Sequence, residues 1–529
     1  MEINYTINSI FHIAKADFLQ RIRSYYFLIT LAVCVFIIYS FVPAIDAGYR
    51  IVSLGNYRGF YNSAWIGSMV AMCVPFFTLL GFYVINNAVK RDIDTGVGQI
   101  IATTRINRIQ YLSGKLLSNF AVLLLMLTII AFMTVVMFLL RGETSKLELG
   151  KLLLPLFILT VPAMFILASL ALFFDSIKIL SRGGINIAYF FLWIFIVSSA
   201  LWSPYTDVFG VNTCLNEITK SVSASHPDWN GQSGTGILIS GSQASCKVFV
   251  WEGMKWTPGI FLQRIFWMCA SFSLVLLASL QFNSFDTVET KAKRRRTWWF
   301  MKGQTVLPEH DIAPMRIRYR DLPVAKARFS FIKLSVAELR LMLKGRAMLW
   351  LLLTAGLWIA SVFTPLNIAY KYFLPLLWFL QTLILSTLGS RELANRCNEY
   401  IFSAASPLQR QLPATFSAAV ILMLTLAIPV LLRVFFSGNF YGVYAILTGA
   451  LFIPAFAIAS GILTGGSKLF EVTFTVIVYG ILNGVPFFDF TGAIKESHET
   501  GIAHYLLAIT ILLVILAFTG RKYQIRNAA

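Results

Sequence analysis

The chain alternates long apolar runs with short polar intervals. A helix needs about 20 apolar residues to cross roughly 30 Å of hydrocarbon. Twelve runs approach that length, at 26–43, 64–88, 117–140, 152–174, 184–202, 262–281, 348–363, 372–389, 416–436, 444–463, 469–486 and 503–519. An amphipathic stretch precedes the first run and another precedes the seventh. In one, Ile10, Phe11, Ala14, Phe18, Leu19 and Ile22 recur at helical spacing against Lys15, Asp17, Gln20, Arg21 and Arg23. In the other, Phe331, Ile332, Val336, Leu339, Met342 and Leu343 oppose Lys333, Glu338, Arg340 and Lys344. Both patterns predict lead-in helices, over 8–24 and 331–346, whose apolar faces sink into the membrane interface. The expected architecture is an all-α polytopic membrane protein of about twelve spans, built as two six-span halves at 1–286 and 331–529. An even number of spans per half returns the chain to the same side, so the repeat is parallel.

Two polar intervals organise this pattern. At 90–115, Lys90, Arg91 and Asp92 leave the second run, Gly96 and Gly98 break the chain, and Gly114 and Lys115 open the third. A weaker copy at 391–415 begins with Arg391 and Glu392. Within them Gln99, Ile100, Ile101, Ala102, Thr103 and Thr104 line up with Tyr400, Ile401, Phe402, Ser403, Ala404 and Ala405. Apolar residues in a polar loop too short for its own core need an outside surface, either a protein partner or lipid headgroups. A further correspondence lies in the fourth and tenth runs, where Pro162, Ala163 and Ser169 match Pro454, Ala455 and Ser460 in order.

Composition agrees with the pattern: 57% of the 529 residues are hydrophobic, 13% are charged, and mean hydropathy is +0.72. Such a chain is no ordinary soluble domain. Of its 44 Lys and Arg, 32 fall on the side carrying both termini. That bias places the termini in the cytoplasm and makes the net charge of +20 a topology signal, against nucleic-acid binding. The basic linker at 287–330, with Lys291 to Arg296, Trp298, Trp299 and Phe300, is expected to lie on anionic headgroups. The outer segments 44–63 and 203–261 read as loops, with Trp251 and Trp256 at the interface where the chain re-enters. Cys214 and Cys246 share the larger of them, and either a disulfide, if it faces an oxidising space, or two free thiols fits. The runs hold almost no ionisable residue apart from Lys371 and Arg433 near outer ends. His12, His226, His310, His498 and His504 are scattered, which argues against a metal site, and His498 and His504 read as surface residues. A Gly-x-x-x-x-Gly-Lys-Ser/Thr loop is missing, so the chain carries no phosphate cradle of that kind.

A six-span unit with an amphipathic lead-in, a charged interval after its second span, a long outer segment before its sixth and a Phe282-x-x-Phe285-Asp286 exit resembles the permease subunit of type-2 ABC exporters. The likeness covers nearly the whole chain twice. It is closest from Arg91-Asp92 through Gly114-Lys115, and looser after Arg391-Glu392, where Pro407 and Pro413 depart from the pattern. The resemblance implies a tandem-fused permease of a bacterial cytoplasmic membrane, without catalytic or cofactor sites of its own. Coupling helices would run over Gly98, Gln99, Ile100, Ile101, Ala102, Thr103, Thr104, Arg105, Ile106 and Asn107, and over Glu399, Tyr400, Ile401, Phe402, Ser403, Ala404, Ala405, Ser406, Pro407 and Leu408. They would seat in two copies of a separate ATP-binding subunit that holds ATP and Mg. Arg91, Asp92, Arg391 and Glu392 would form exposed ion pairs at these joints, each contributing up to about 1 kcal/mol. The implied cargo is amphipathic or hydrophobic: a peptide, natural product or lipid. The rival expectation is a proton-coupled carrier of the major facilitator kind, which the shortage of charge in the runs disfavours.

Overall fold

Each apolar run read from the sequence overlaps one or more helices over most of its described length. The computed structural model describes residues 2–177, 185–200, 202–239, 246–282 and 329–528, apart from 345, 347 and 405. The basic linker and the Phe285-Asp286 exit lie outside the described residues. The first half comprises α1 (Glu2–Ile22), α2 (Tyr25–Phe41), α3 (Ser63–Ala71), α4 (Val74–Ile85), α5 (Ala88–Asp94) and α6 (Val97–Ala102). It continues through α7 (Arg108–Arg141), α8 (Leu149–Ser176), α9 (Ile185–Ser199), α10 (Val211–Ser225) and α11 (Pro258–Gln281). The second half follows with α12 (Phe331–Leu343), α13 (Met348–Phe363) and α14 (Leu366–Leu385), the last wound as a π-turn over Ala369–Phe373. Then come α15 (Arg391–Ala394), α16 (Asn398–Phe402), α17 (Pro407–Phe436), α18 (Phe440–Thr464), α19 (Lys468–Leu482), α20 (Lys495–Glu499) and α21 (Ile502–Ala528).

The protein is an all-α polytopic membrane protein. Seven described helices are long and apolar enough to cross a bilayer, and nine if the bent pairs α1–α2 and α3–α4 each count as one. Twelve spans are not reached by this measure because α9, α13 and α19 have only 15, 16 and 15 residues. One continuous hydrophobic cluster runs through both halves. Pro162 and Pro454 both sit inside helices, in α8 and α18.

The outer segments are more ordered than loops. β1 (Tyr49–Ser53) pairs antiparallel with β3 (Gly234–Ile239), and β2 (Tyr57–Gly59) pairs parallel with β4 (Lys247–Phe249). The strands were hidden from a hydropathy reading because they are short and their partners lie far along the chain. Arg58 donates twice to Glu143, at 2.7 and 2.9 Å, holding that carboxyl below its usual range. Trp251, expected at the interface, is instead buried beneath this cap, its Nε1 donating to Ser68 Oγ at 3.1 Å. Cys214 and Cys246 are both free thiols. Cys214 is buried on α10, its Sγ 3.9 Å from the Ser68 carbonyl.

The lead-in helices pack a largely polar stripe against the protein and leave apolar residues on the outside. On α1 the buried stripe is Ala14, Asp17 and Arg21, whereas Ile7 and Phe11 are exposed. On α12 it is Ser335, Glu338 and Met342, with Ile332 and Val336 outside. Gly114 lets α1 lie against α7: a Cβ there would stand 2.8 Å from Ile13 Cγ2 and 3.2 Å from the Ile10 carbonyl oxygen. Gly114→Val is therefore expected to destabilise the folded protein by about 1–3 kcal/mol in detergent unfolding curves. Gly150→Ala, where the nearest atom is 3.9 Å away, should leave the curve unchanged.

Candidate functional site

The 90–115 interval folds as a knob. The Asp175 carboxylate at the end of α8 accepts from the Asn87, Ala88 and Val89 amides at 3.0, 2.7 and 3.3 Å, capping the first turn of α5. Gly96, at φ +76°, turns the chain into α6. Ile101 and Ile106 pack against Val89, Tyr111, Leu112, Leu172 and Phe282. Ile100 points away from that cluster and is 68% exposed, with Ile93 and Val97 also exposed. The helical stretch is shorter than expected: it spans Val97–Ala102, Thr103 and Thr104 form the turn that ends it, and Asn107 already caps α7 in a capping box with Gln110.

The copy at 391–415 has the same outline. Only Glu399 to Phe402 of the expected stretch are helical, Ser403 and Ala404 turn, and Pro407 and Leu408 open α17; Ala405 is outside the described residues. Proline at the first position of α17 explains the early restart, since its fixed φ suits a helix start. Phe402 is buried, and Tyr400 at the tip is 85% exposed.

Each knob is clamped to its lead-in helix by buried charges. Asp17 sits at the centre of the first clamp, 4% exposed. Its carboxylate is 2.8 Å from Arg21 Nε, 2.8 Å from Arg91 Nη2 and 2.8 Å from Lys115 Nζ, and accepts from Ser118 Oγ at 2.7 Å. Lys115 also reaches Asp92 at 2.7 Å, and Asp92 accepts from the Tyr111 hydroxyl at 2.7 Å. In the second clamp Glu338 takes the place of Asp17, 2.7 Å from Arg391 Nη2. Glu392 is 3.2 Å from Arg521 Nη2 on α21 and accepts from Gln411 Nε2 at 2.8 Å. Arg91, Asp92, Arg391 and Glu392 thus all join ion pairs, but with largely buried partners. Arg91 pairs with Asp17, Asp92 with Lys115, Arg391 with Glu338 and Glu392 with Arg521, while Arg391 also stands 3.8 Å from Glu392.

The scarcity of charge in the spans is also corrected, at their ends. Arg264 on α11 is 3% exposed and donates to the Val208 and Asp207 carbonyls at 2.6 and 2.9 Å. Lys468 and Glu471 open α19 and join the halves. Lys468 Nζ donates to the Tyr83 carbonyl at 3.1 Å and to Asn86, and Glu471 accepts from Asn186, itself bonded to Asn86. Tyr83 and Thr475 bond through their hydroxyls at 2.8 Å.

A repeated outer turn completes the correspondence. Pro204, Asp207 and Gly210 match Pro486, Asp489 and Gly492, each set following the fifth run of its half. Asp207 accepts from the Gly210 and Thr213 amides, and Asp489 from the Gly492 and Ile494 amides. Gly210 and Gly492 take φ of +79° and +78°. His498 is not a free surface residue: its Nε2 lies 2.6 Å from the Gly492 carbonyl oxygen, bracing this turn. The repeated Pro-x-x-Asp-x-x-Gly spacing and the acid on each lead-in helix were legible signals. Lys468 and Arg521 had none.

No known protein family, curated protein or solved structure matches the chain.

Removing one member of a buried ion cluster leaves the others uncompensated, at a cost of about 3–5 kcal/mol. Asp17→Asn should therefore lower unfolding stability by about that amount. The double variant Asp17→Leu with Lys115→Met should lose less than the sum of its single variants in the same unfolding assay, as coupled sites do.

Proposed function

We propose that the chain is the transmembrane permease of a type-2 ATP-binding-cassette exporter, with both six-span halves fused and driven by two copies of a separate ATP-binding subunit. The observation that carries this reading is an exposed bulky tip on each of two knobs, Ile100 on one and the Tyr400 ring on the other. An apolar tip at the end of a rigid, charge-clamped knob suits a partner's groove. A knob meant only to rest on headgroups has no need of a largely buried ion cluster behind it, four pairs at the first knob and three at the second, whereas one that transmits force does. The clamps join each knob to a lead-in helix and to a long helix, α7 in one half and α21 in the other. Displacement of a knob by nucleotide-driven closure of the partners then moves a whole bundle as a rigid body, the two-state element that alternating access requires.

ATP and Mg are held by the partners in this reading, and the chain's own part is to bind, couple and form the route for an amphipathic or hydrophobic cargo. The site is the bacterial cytoplasmic membrane, with both termini cytoplasmic, on the side where basic residues concentrate.

Burying one exposed isoleucine in a partner contributes about 1.5–3 kcal/mol, roughly tenfold or more in affinity. Ile100→Asp is accordingly expected to reduce co-purification of the ATP-binding subunit at least tenfold, with the permease still folded. In vesicles containing the complex, cargo movement should stop when ATP is replaced by a non-hydrolysable analogue. Cargo movement sustained by a proton gradient alone, without nucleotide, would sink the proposal in favour of a proton-coupled carrier.

A further inference from the structure

Between α1, α2, α4 and α19, at the seam where the two halves meet, lies a cavity of about 380 Å³. Its charged lining residues are all cations: Arg21, Arg91 and Lys468. Arg21 is 3% exposed and its Nη1 donates to the Ile85 carbonyl at 2.8 Å, while its Nη2 has no hydrogen-bond partner in the protein. Arg91 Nε is likewise buried without one. Lys468 uses its Nζ on Tyr83 and Asn86 and has a third N–H to give. The nearby carboxylates are turned to other work, since Asp17 is engaged by Arg21, Arg91, Lys115 and Ser118, Glu471 by Asn186, and Asp175, which also faces Arg21 and Lys468, by the Asn87, Ala88 and Val89 amides. An unpartnered guanidinium nitrogen this deeply buried is costly, and an anion in the cavity would satisfy it.

Polarity is graded along the cavity. The cations lie at the ends of helices, on the face that carries the 90–115 knob, together with Asn87 and Ser24. Further along the same helices the lining turns apolar: Val33 is nine residues beyond Ser24, about 13 Å along a helix, and Val472 is one turn beyond Lys468. Ile29 lines that stretch too, together with Thr30 and Thr473, whereas Val84 and Leu469 adjoin the polar end. A soluble anion would match only the first part, and an uncharged apolar molecule only the second.

We infer that this seam cavity binds one anionic amphiphile of the acidic phospholipid class, its phosphate held by Arg21, Arg91 and Lys468 and its acyl chain laid along Val33 and Val472. Guanidinium and ammonium donors on a phosphate in a partly desolvated site are the strong kind of hydrogen bond. The lipid would bridge the halves, since Arg21 and Arg91 belong to the first and Lys468 to the second. This assignment is independent of what drives the chain.

The test uses the purified full-length protein in detergent, titrated with phosphatidylglycerol and with phosphatidylcholine of identical acyl chains, one retained lipid being counted by native mass spectrometry. Phosphatidylglycerol is expected to bind about tenfold more tightly, and Lys468→Gln to remove most of that preference, as loss of one charged hydrogen bond does. Val472→Trp, which fills the apolar end without touching a charge, should cut retention of phosphatidylglycerol by a similar factor. Equal affinity for the two lipids, or a headgroup preference untouched by Lys468→Gln, overturns the inference. So does full displacement of the lipid by millimolar inorganic phosphate, which would make this a site for a free anion. Retention unaltered in Val472→Trp overturns the placement of the chain.

Discussion

The structure depends on a carboxylate placed on the inward side of each lead-in helix. Burying a charge carries a large desolvation penalty that only well-placed opposite charges offset, so Asp17 and Glu338 can sit where they do only if basic residues come to them. Arg91 and Lys115 must converge on Asp17, which ties both ends of the 90–115 interval to α1. Arg391 must converge on Glu338. Outward faces of the same helices keep their isoleucines and phenylalanines, so each helix is amphipathic in a sense opposite to that of a helix packed into a soluble core.

Much of the fold was legible because a bilayer imposes a strong rule: every span must be apolar over a minimum length. Helices cover most of each of the twelve runs, and helices lie in the 8–24, 331–346, 90–115 and 391–415 stretches. What hydropathy missed was polar and long-range. Asp17 and Lys115 are 98 residues apart, and nothing local in either says that they meet. Arg91 and Asp92 were read as members of exposed pairs, and their partners Asp17 and Lys115 lie far from them along the chain. The outer segments were read as loops because strands of three to six residues, paired with partners far along the chain, leave almost no periodic trace.

The halves answer the same constraint with different residues. Position 115 holds lysine, whereas the matching 415 holds threonine. Glu392 therefore draws its cation from Arg521, on the last helix, rather than from the long helix that follows the knob. Gln411 takes the part of Tyr111 with an amide in place of a phenol. The seam on the side of Arg21 and Lys468 carries a graded cavity, and the position matching Arg21 on α12 is Met342. Two knobs of similar outline thus stand on unequal foundations, and a partner pressing equally on both would meet unequal resistance.

The origin of Arg521 has a bearing on biosynthesis. The first clamp can close as soon as residue 118 has emerged from the ribosome, with more than half the chain still untranslated. In the second, Glu338 can meet Arg391 once residue 391 has emerged, but Glu392 must wait for residue 521. Until then Glu392 stands in a nascent bundle with no guanidinium from the final helix to neutralise it. Newly made protein thus passes through an interval in which the first joint is complete and the second is held by Glu338 and Arg391 alone.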